Sequence, residues 1–83
     1  MLADMTSTTV AIANKVRGVA AEKRYTQQRI AEVLGISRTS LVERMQGRIA
    51  FTASEVFTLA QEFDVPLSRL FPEAQERVVR GAA

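Results

Sequence analysis

The chain has 83 residues, 47% of them apolar and 24% charged, with a net charge of +2 and neither cysteine nor histidine. That length holds one domain, close to the lower limit of a self-sufficient unstapled core, and the missing residue types exclude disulfides, zinc knuckles, cysteine nucleophiles and histidine acid–base chemistry. Charge is unevenly placed: Lys15 to Arg48 holds eight basic residues against three acids, whereas Ile49 to Ala83 holds three arginines against five acids, so one half suits a polyanion and the other water or protein, or the imbalance is that of an ordinary solvated surface.

Residues 1–8 are expected to form a flexible N-terminus. Met1 to Val10 is uncharged apart from Asp4 and lacks the basic flank and apolar block of a secretory signal. No later run approaches the roughly 20 apolar residues of a membrane span, so a cytoplasmic location is expected. Thr6 to Thr9 supply caps for a first amphipathic helix, in which Val10, Ile12, Ala13, Val16, Val19 and Ala20 recur at spacings of three and four around Lys15 and Arg17. Gly18 costs that helix about 1 kcal/mol unless close packing uses the missing side chain. Glu22 to Tyr25 is the predicted linker.

Thr26 caps a second helix running to Leu34, with Ile30, Ala31, Val33 and Leu34 on its buried side. Gly35 suits a left-handed stop and Ser37 caps the next helix, which leaves Ile36 as an apolar plug inside a three-residue turn. A third helix is predicted from Arg38 to about Gln46, with Leu41, Met45 and part of Val42 facing inward and Gly47 ending it. Thr52-Ala53-Ser54-Glu55 fits the reciprocal capping box that opens a fourth helix, stapled by Phe51 and continued by Val56, Leu59, Ala60 and Phe63. Pro66 at a first helical position starts a short fifth segment bearing Leu67, Leu70 and Phe71, and Pro72 limits it. Residues 72–83 form a tail with another helical turn or two or a dimer-supporting role, fraying at Gly81-Ala82-Ala83. Without period-two alternation the prediction is an all-α, compact five-helix bundle over residues 9–71.

From Thr26-Gln27-Gln28-Arg29-Ile30-Ala31-Glu32-Val33-Leu34-Gly35-Ile36-Ser37-Arg38-Thr39-Ser40-Leu41 to Gly47, the chain resembles the Cro and phage-repressor family of helix-turn-helix proteins, also called lambda-repressor-like. The resemblance extends over roughly Thr9 to Phe71. It implies a lambda-repressor-like DNA-binding domain in which Gln27 contacts a backbone phosphate, Arg38, Thr39 and Glu43 point at base edges, and Ser40 reaches bases or phosphate. Gln46 and Arg48 match positions that hold the opposite flank of the groove. It also implies a homodimer on pseudo-twofold double-stranded DNA, using the fifth-helix region. Many members pair a glutamate near Gly47 with an arginine on the first helix. Here the corresponding places are Met45 and Ala20, a coherent joint replacement because losing one partner strands a partly buried charge. Arg44, one residue earlier, is expected to snorkel over the core with its head in solvent or on phosphate. The Arg-Met order resembles repressor-like proteins of high-GC bacteria and their phages.

The chemistry of these residues fits such a role. Arg38 can give a bidentate pair to guanine O6 and N7, worth about 1–3 kcal/mol of discrimination, or be a solvent or phosphate arginine. Thr39 can bond a base or pack against a thymine methyl, and Ser40 allows close approach. Glu43 accepts from cytosine N4, orients Arg38 or makes a surface ion pair. Gln27 and Gln28 add amide donors to the free N–H groups of the second helix, and Arg24, Arg29, Arg48 and Lys23 neutralise phosphates. Leu67, Leu70 and Phe71, with Val78 and Val79, either form a twofold interface or pack within the monomer. Glu43, Glu55 and Glu62 lie on different helical faces, so no enzyme, metal, cofactor or small-molecule ligand is expected. The expected function is a transcriptional regulator of phage or prophage repressor type. The alternative is an antitoxin-like protein-interaction module on the same fold.

Overall fold

The computed structural model describes residues 2–72, with side chains from Thr8 onward. The first helix, α1 (Leu2–Glu22), begins well before Thr6 to Thr9, which therefore lie inside it instead of capping it. Leu2, Ala3 and Met5 are good helix formers, no glycine or proline intervenes, and extending an existing helix costs far less than nucleating one. Ala13, Val16, Val19 and Ala20 form its buried stripe, with Ile12 packed at the edge. Val10 is 38% exposed and lies outside the buried stripe, contrary to expectation. Gly18 meets no atom that a Cβ would touch within 4 Å, so close packing does not explain it.

Helix α1 closes through Arg24 in the left-handed region at φ 62°, with the Tyr25 N–H donating to Ala20 O at 2.8 Å. Helix α2 (Gln27–Leu34) follows, its N-terminus capped by Thr26, whose hydroxyl accepts from the Arg29 N–H at 3.1 Å. At its far end Gly35 takes φ 69°, and the Ile36 N–H returns to Ala31 O at 3.1 Å. That closure places Ile36, half-buried, against the core between α2 and α3 (Arg38–Met45), as the plug expected of it. Ser37 caps α3 by accepting from the Ser40 N–H at 3.0 Å.

Helix α4 (Ala53–Phe63) opens with the full reciprocal box: the Glu55 N–H donates to the Thr52 hydroxyl and the Thr52 N–H donates to the Glu55 carboxylate. Phe51 is buried just ahead of it. The predicted fifth helix is instead a single 3₁₀ turn, Leu67–Leu70, with Pro66 extended at its cap. Pro72 forces Phe71 out of helical geometry, to φ −109° and ψ 149°, so there is room for one turn only. Leu70 is fully buried by that turn. The Arg69 guanidinium ties it to Glu22 at the end of α1, 2.9 Å away. The architecture is therefore an all-α, compact four-helix bundle with a 3₁₀ appendage. The predicted tail, with Val78 and Val79, lies outside the described residues.

Helix α4 supplies Val56, Leu59, Ala60 and Phe63 to the centre, against Ile30 and Ala31 from α2 and Leu41 and Met45 from α3. Leu34, expected in the core, is only partly buried at its edge. Tyr25 packs edge-on to Phe63, ring centroids 5.0 Å apart, and its hydroxyl donates to the Glu62 carboxylate at 2.7 Å. No buried polar side-chain atom among the described residues lacks a partner.

Candidate nucleic-acid interface

Because Leu41 and Met45 are buried one turn apart, the opposite side of α3 is turned outward. Arg38, Thr39 and Gln46 are exposed, and Val42 and Glu43 are half-buried between them. The Arg38 side chain makes no hydrogen bond or ion pair with any described residue, so its five donors are free. Ser40 is half-buried. Val42, expected to face partly inward, is half-buried at the edge of that strip, as its offset from the Leu41–Met45 line requires.

Glu43 does not orient Arg38. Its carboxylate accepts from Arg48 Nη1 at 3.1 Å, and its carbonyl accepts from the Arg48 and Ile49 N–H groups. Glu43 thus folds the post-helix loop back along α3, and the surface ion pair is the alternative the structure realises. That loop turns at Gly47, whose φ is 79° and whose Cα side faces Val10 of α1.

Arg44 does not snorkel. Its Nε donates to Glu55 Oε1 at 2.9 Å and its Nη1 to Ser40 O at 3.2 Å, with both side chains of the pair largely buried. Partial burial raises the Glu55 pKa, but hydrogen bonds from the Thr52 backbone and from Arg44 outweigh it and hold the carboxyl below its ordinary value. Sequence reasoning missed this contact, since the arginine and its partner lie eleven residues apart on different helices. Met45 and Ala20, the replaced ion pair, are both buried as expected. Arg17 of α1, held by Asn14, reaches the same end of α3 and donates from Nη1 to Met45 O at 3.2 Å.

Gln27 and Gln28 stand exposed at the N-terminus of α2, Gln28 donating to Glu32 at 3.3 Å. Lys23, Arg24, Tyr25, Thr26 and Arg29 line a groove of about 280 Å³ there. Arg29 is shared loosely between Glu32 at 3.8 Å and Glu62 at 3.7 Å and stays more than half exposed. The bond to Glu62 raises the Tyr25 pKa, so the phenol remains a neutral donor. Of the three predicted interface residues, Leu70 is fully buried in the monomer core and Phe71 is half-buried against it, while Leu67 is 41% exposed. Leu70 is therefore withdrawn from any intersubunit surface. Phe57, which the sequence reading passed over, is 53% exposed on α4.

No group of three or more acidic, histidine or cysteine side chains that could hold a metal occurs among the described residues. No helix among them is long and apolar enough to cross a membrane.

The fold matches solved structures closely. The clp gene regulator ClgR from Corynebacterium glutamicum superposes with a TM-score of 0.72 at 20% identity, over 89% of this chain and 79% of that one. The hypothetical transcription factor NHTF from Neisseria gives 0.70 at 22% identity, over 86% and 82%. The restriction-modification controller protein C.AhdI from Aeromonas hydrophila gives 0.68 at 21% identity, over 76% of this chain and 96% of that one. At such identities the likeness establishes the helix-turn-helix fold that Thr26 to Gly47 predicted. No curated protein sequence matches the chain. Residues 4–81 match the BetR domain, and the chain belongs to the BetR domain family.

Proposed function

We propose that this protein is a transcriptional regulator that binds double-stranded DNA sequence-specifically by inserting α3 into the major groove. The observation that carries the reading is the outward strip of α3, where Arg38 stands exposed and unpaired among the described residues, over the buried backing of Leu41 and Met45. Arg38 and Thr39 read base edges, with Ser40 close to the bases or the phosphates. Glu43 serves this face by holding Arg48. Gln27, Gln28, Arg24, Arg29, Gln46 and Arg48 position the duplex through phosphates. The solved structures of similar fold include proteins described as a gene regulator and a controller protein, which supports a regulatory role. A repressor of phage or prophage type, acting in the cytoplasm by occupying a promoter, is the specific form proposed.

Leu67 and Phe57, both exposed, are offered as part of the twofold surface of a homodimer, in which the two recognition helices have to stand about 34 Å apart to meet successive major grooves. Selection of bound duplexes from a random pool, repeated with R38A and T39A, tests the base-reading role. R38A is expected to relax the selected sequence at one position and cost about 1–3 kcal/mol. Unchanged selection by both variants refutes the assignment, and a monomer mass by ultracentrifugation with and without the selected duplex refutes the dimer.

A further inference from the structure

Helix α3 has eight residues, about 12 Å of rise, and its buried side chains are Leu41 and Met45, one turn apart on a single line. Two such anchors set how deeply a helix sits but define its roll about its own axis poorly. The backbone of α3 packs on α1 and α2, and no Cα of α3 lies within 8 Å of a Cα of α4. Arg44 spans that gap. Its side chain is 15% exposed and that of Glu55 14%, and the Nε to Oε1 distance is 2.9 Å. The receiving oxygen is itself fixed, because it accepts the Thr52 N–H at 3.0 Å in the α4 capping box. The other arm of the guanidinium returns to Ser40 O at 3.2 Å, which locks its plane to the backbone of α3.

From this arrangement we infer that Arg44 and Glu55 are a positioning pair: the ion pair between α3 and the capping box of α4 sets the roll of α3, and with it the aim of Arg38 and Thr39, without touching DNA. The inference rests on the reading of α3 as the recognition helix. The side chain is only 15% exposed, with Nε committed to Glu55 and Nη1 to Ser40 O, an arrangement that turns Arg44 toward the protein and away from a phosphate. A largely desolvated ion pair gains little net stability over apolar packing, whereas its directionality can select one arrangement of the helices. A methionine at 44 would fill the same space and leave the roll undefined. Lysine lacks the planar fork that makes both bonds at once.

The test uses the full chain with E55Q, R44M and the double variant. Glutamine serves a capping box as glutamate does, so E55Q keeps the Thr52 bond and weakens the hold on Arg44 by replacing a charged acceptor with a neutral one. Affinities for a selected duplex and for a scrambled one are measured by fluorescence anisotropy across a salt series, below the melting temperature of each variant. R44M is expected to lower the selected-to-scrambled affinity ratio about tenfold, E55Q to lower it in the same direction by less, and the double variant to go no further than R44M, because the two residues act as one unit. The salt slope stays that of the wild type. A merely structural role scales both affinities by the folded fraction and leaves the ratio unchanged, which overturns the inference. A phosphate role for Arg44 also overturns it: R44M then weakens both duplexes alike and flattens the salt slope by about 0.9, while E55Q does nothing. Failure of the wild type to prefer any duplex defeats the recognition-helix reading itself and is seen before any substitution is made.

Discussion

Gly47→Ala is the substitution for which the structure gives the sharpest expectation. Gly35 and Gly47 share nearly the same backbone, with φ of 69° and 79°, and a Cβ in that region costs about 1 kcal/mol at either place. Their surroundings differ. A Cβ at Gly35 meets nothing within 4 Å, whereas one at Gly47 lies 2.9 Å from Val10 Cγ2 and 3.4 Å from Val10 Cα. Val10 is β-branched and mid-helix, so its methyl has little rotamer freedom with which to retreat, and the α1 backbone behind it is fixed by the core. Overpacking of this kind adds about 1 kcal/mol or more. Gly35→Ala is therefore expected to cost about 1 kcal/mol and Gly47→Ala about 2–3 kcal/mol, read as urea midpoints or as melting shifts of about 4–8 °C per kcal/mol for a domain of this size. Val10→Ala on top of Gly47→Ala removes the 2.9 Å contact and should restore about 1 kcal/mol, so the pair is non-additive. Equal costs at the two glycines, or no rescue by Val10→Ala, would refute the proposed packing of α1 against the loop that follows α3.

Three further expectations concern the rest of the bundle. Leu70→Ala should destabilise the protein by about 2–5 kcal/mol because the side chain is fully buried, whereas Leu67→Ala should stay within about 0.5 kcal/mol in the monomer by chemical denaturation at low concentration. Gly18→Ala should stabilise by about 0.8–1 kcal/mol in the same assay, since the site is an exposed helix interior with open space for a methyl group. Glu55 has a folded pKa below its ordinary value of 4.5, so the folded state binds fewer protons than the unfolded chain as pH falls. Its stabilising contribution is complete above that ordinary value and is lost as pH drops through the lowered folded value. Melting curves over this acid range should accordingly show E55Q less pH-sensitive than the wild type, and parallel curves would contradict the assignment.

Features that depend on neighbours within about four residues were legible in the sequence. Thr26, Ser37 and Thr52 cap as predicted and Gly35 and Gly47 turn the chain, because each acts on the next helical turn by local hydrogen bonding or backbone geometry. The exposure of Arg38 and Thr39 was equally legible, since burying Leu41 and Met45 leaves residues on the other side of a 3.6-residue period facing out. Other assignments depended on what lies across the bundle. Pattern alone could not tell that α1 continues back to Leu2, that Val10 faces Gly47, or that Leu70 is used up by the core while Phe57 is left outside it.

The long polar side chains were the least legible, because their direction is set by a partner and not by periodicity. Arg44 had the same stem and charge wherever it pointed, and only the placement of the α4 capping box beside α3 gave it Glu55 to bind. Glu43 likewise could have faced Arg38 or a base until the turn at Gly47 brought Arg48 back to it. Amino-acid order therefore determined which segments coil, where they stop and which side of α3 faces outward. Packing among the helices decided which charges on that side remain free for a partner, because an ion pair is formed by proximity in space, and a flexible side chain carries no record of its partner in its own sequence neighbourhood.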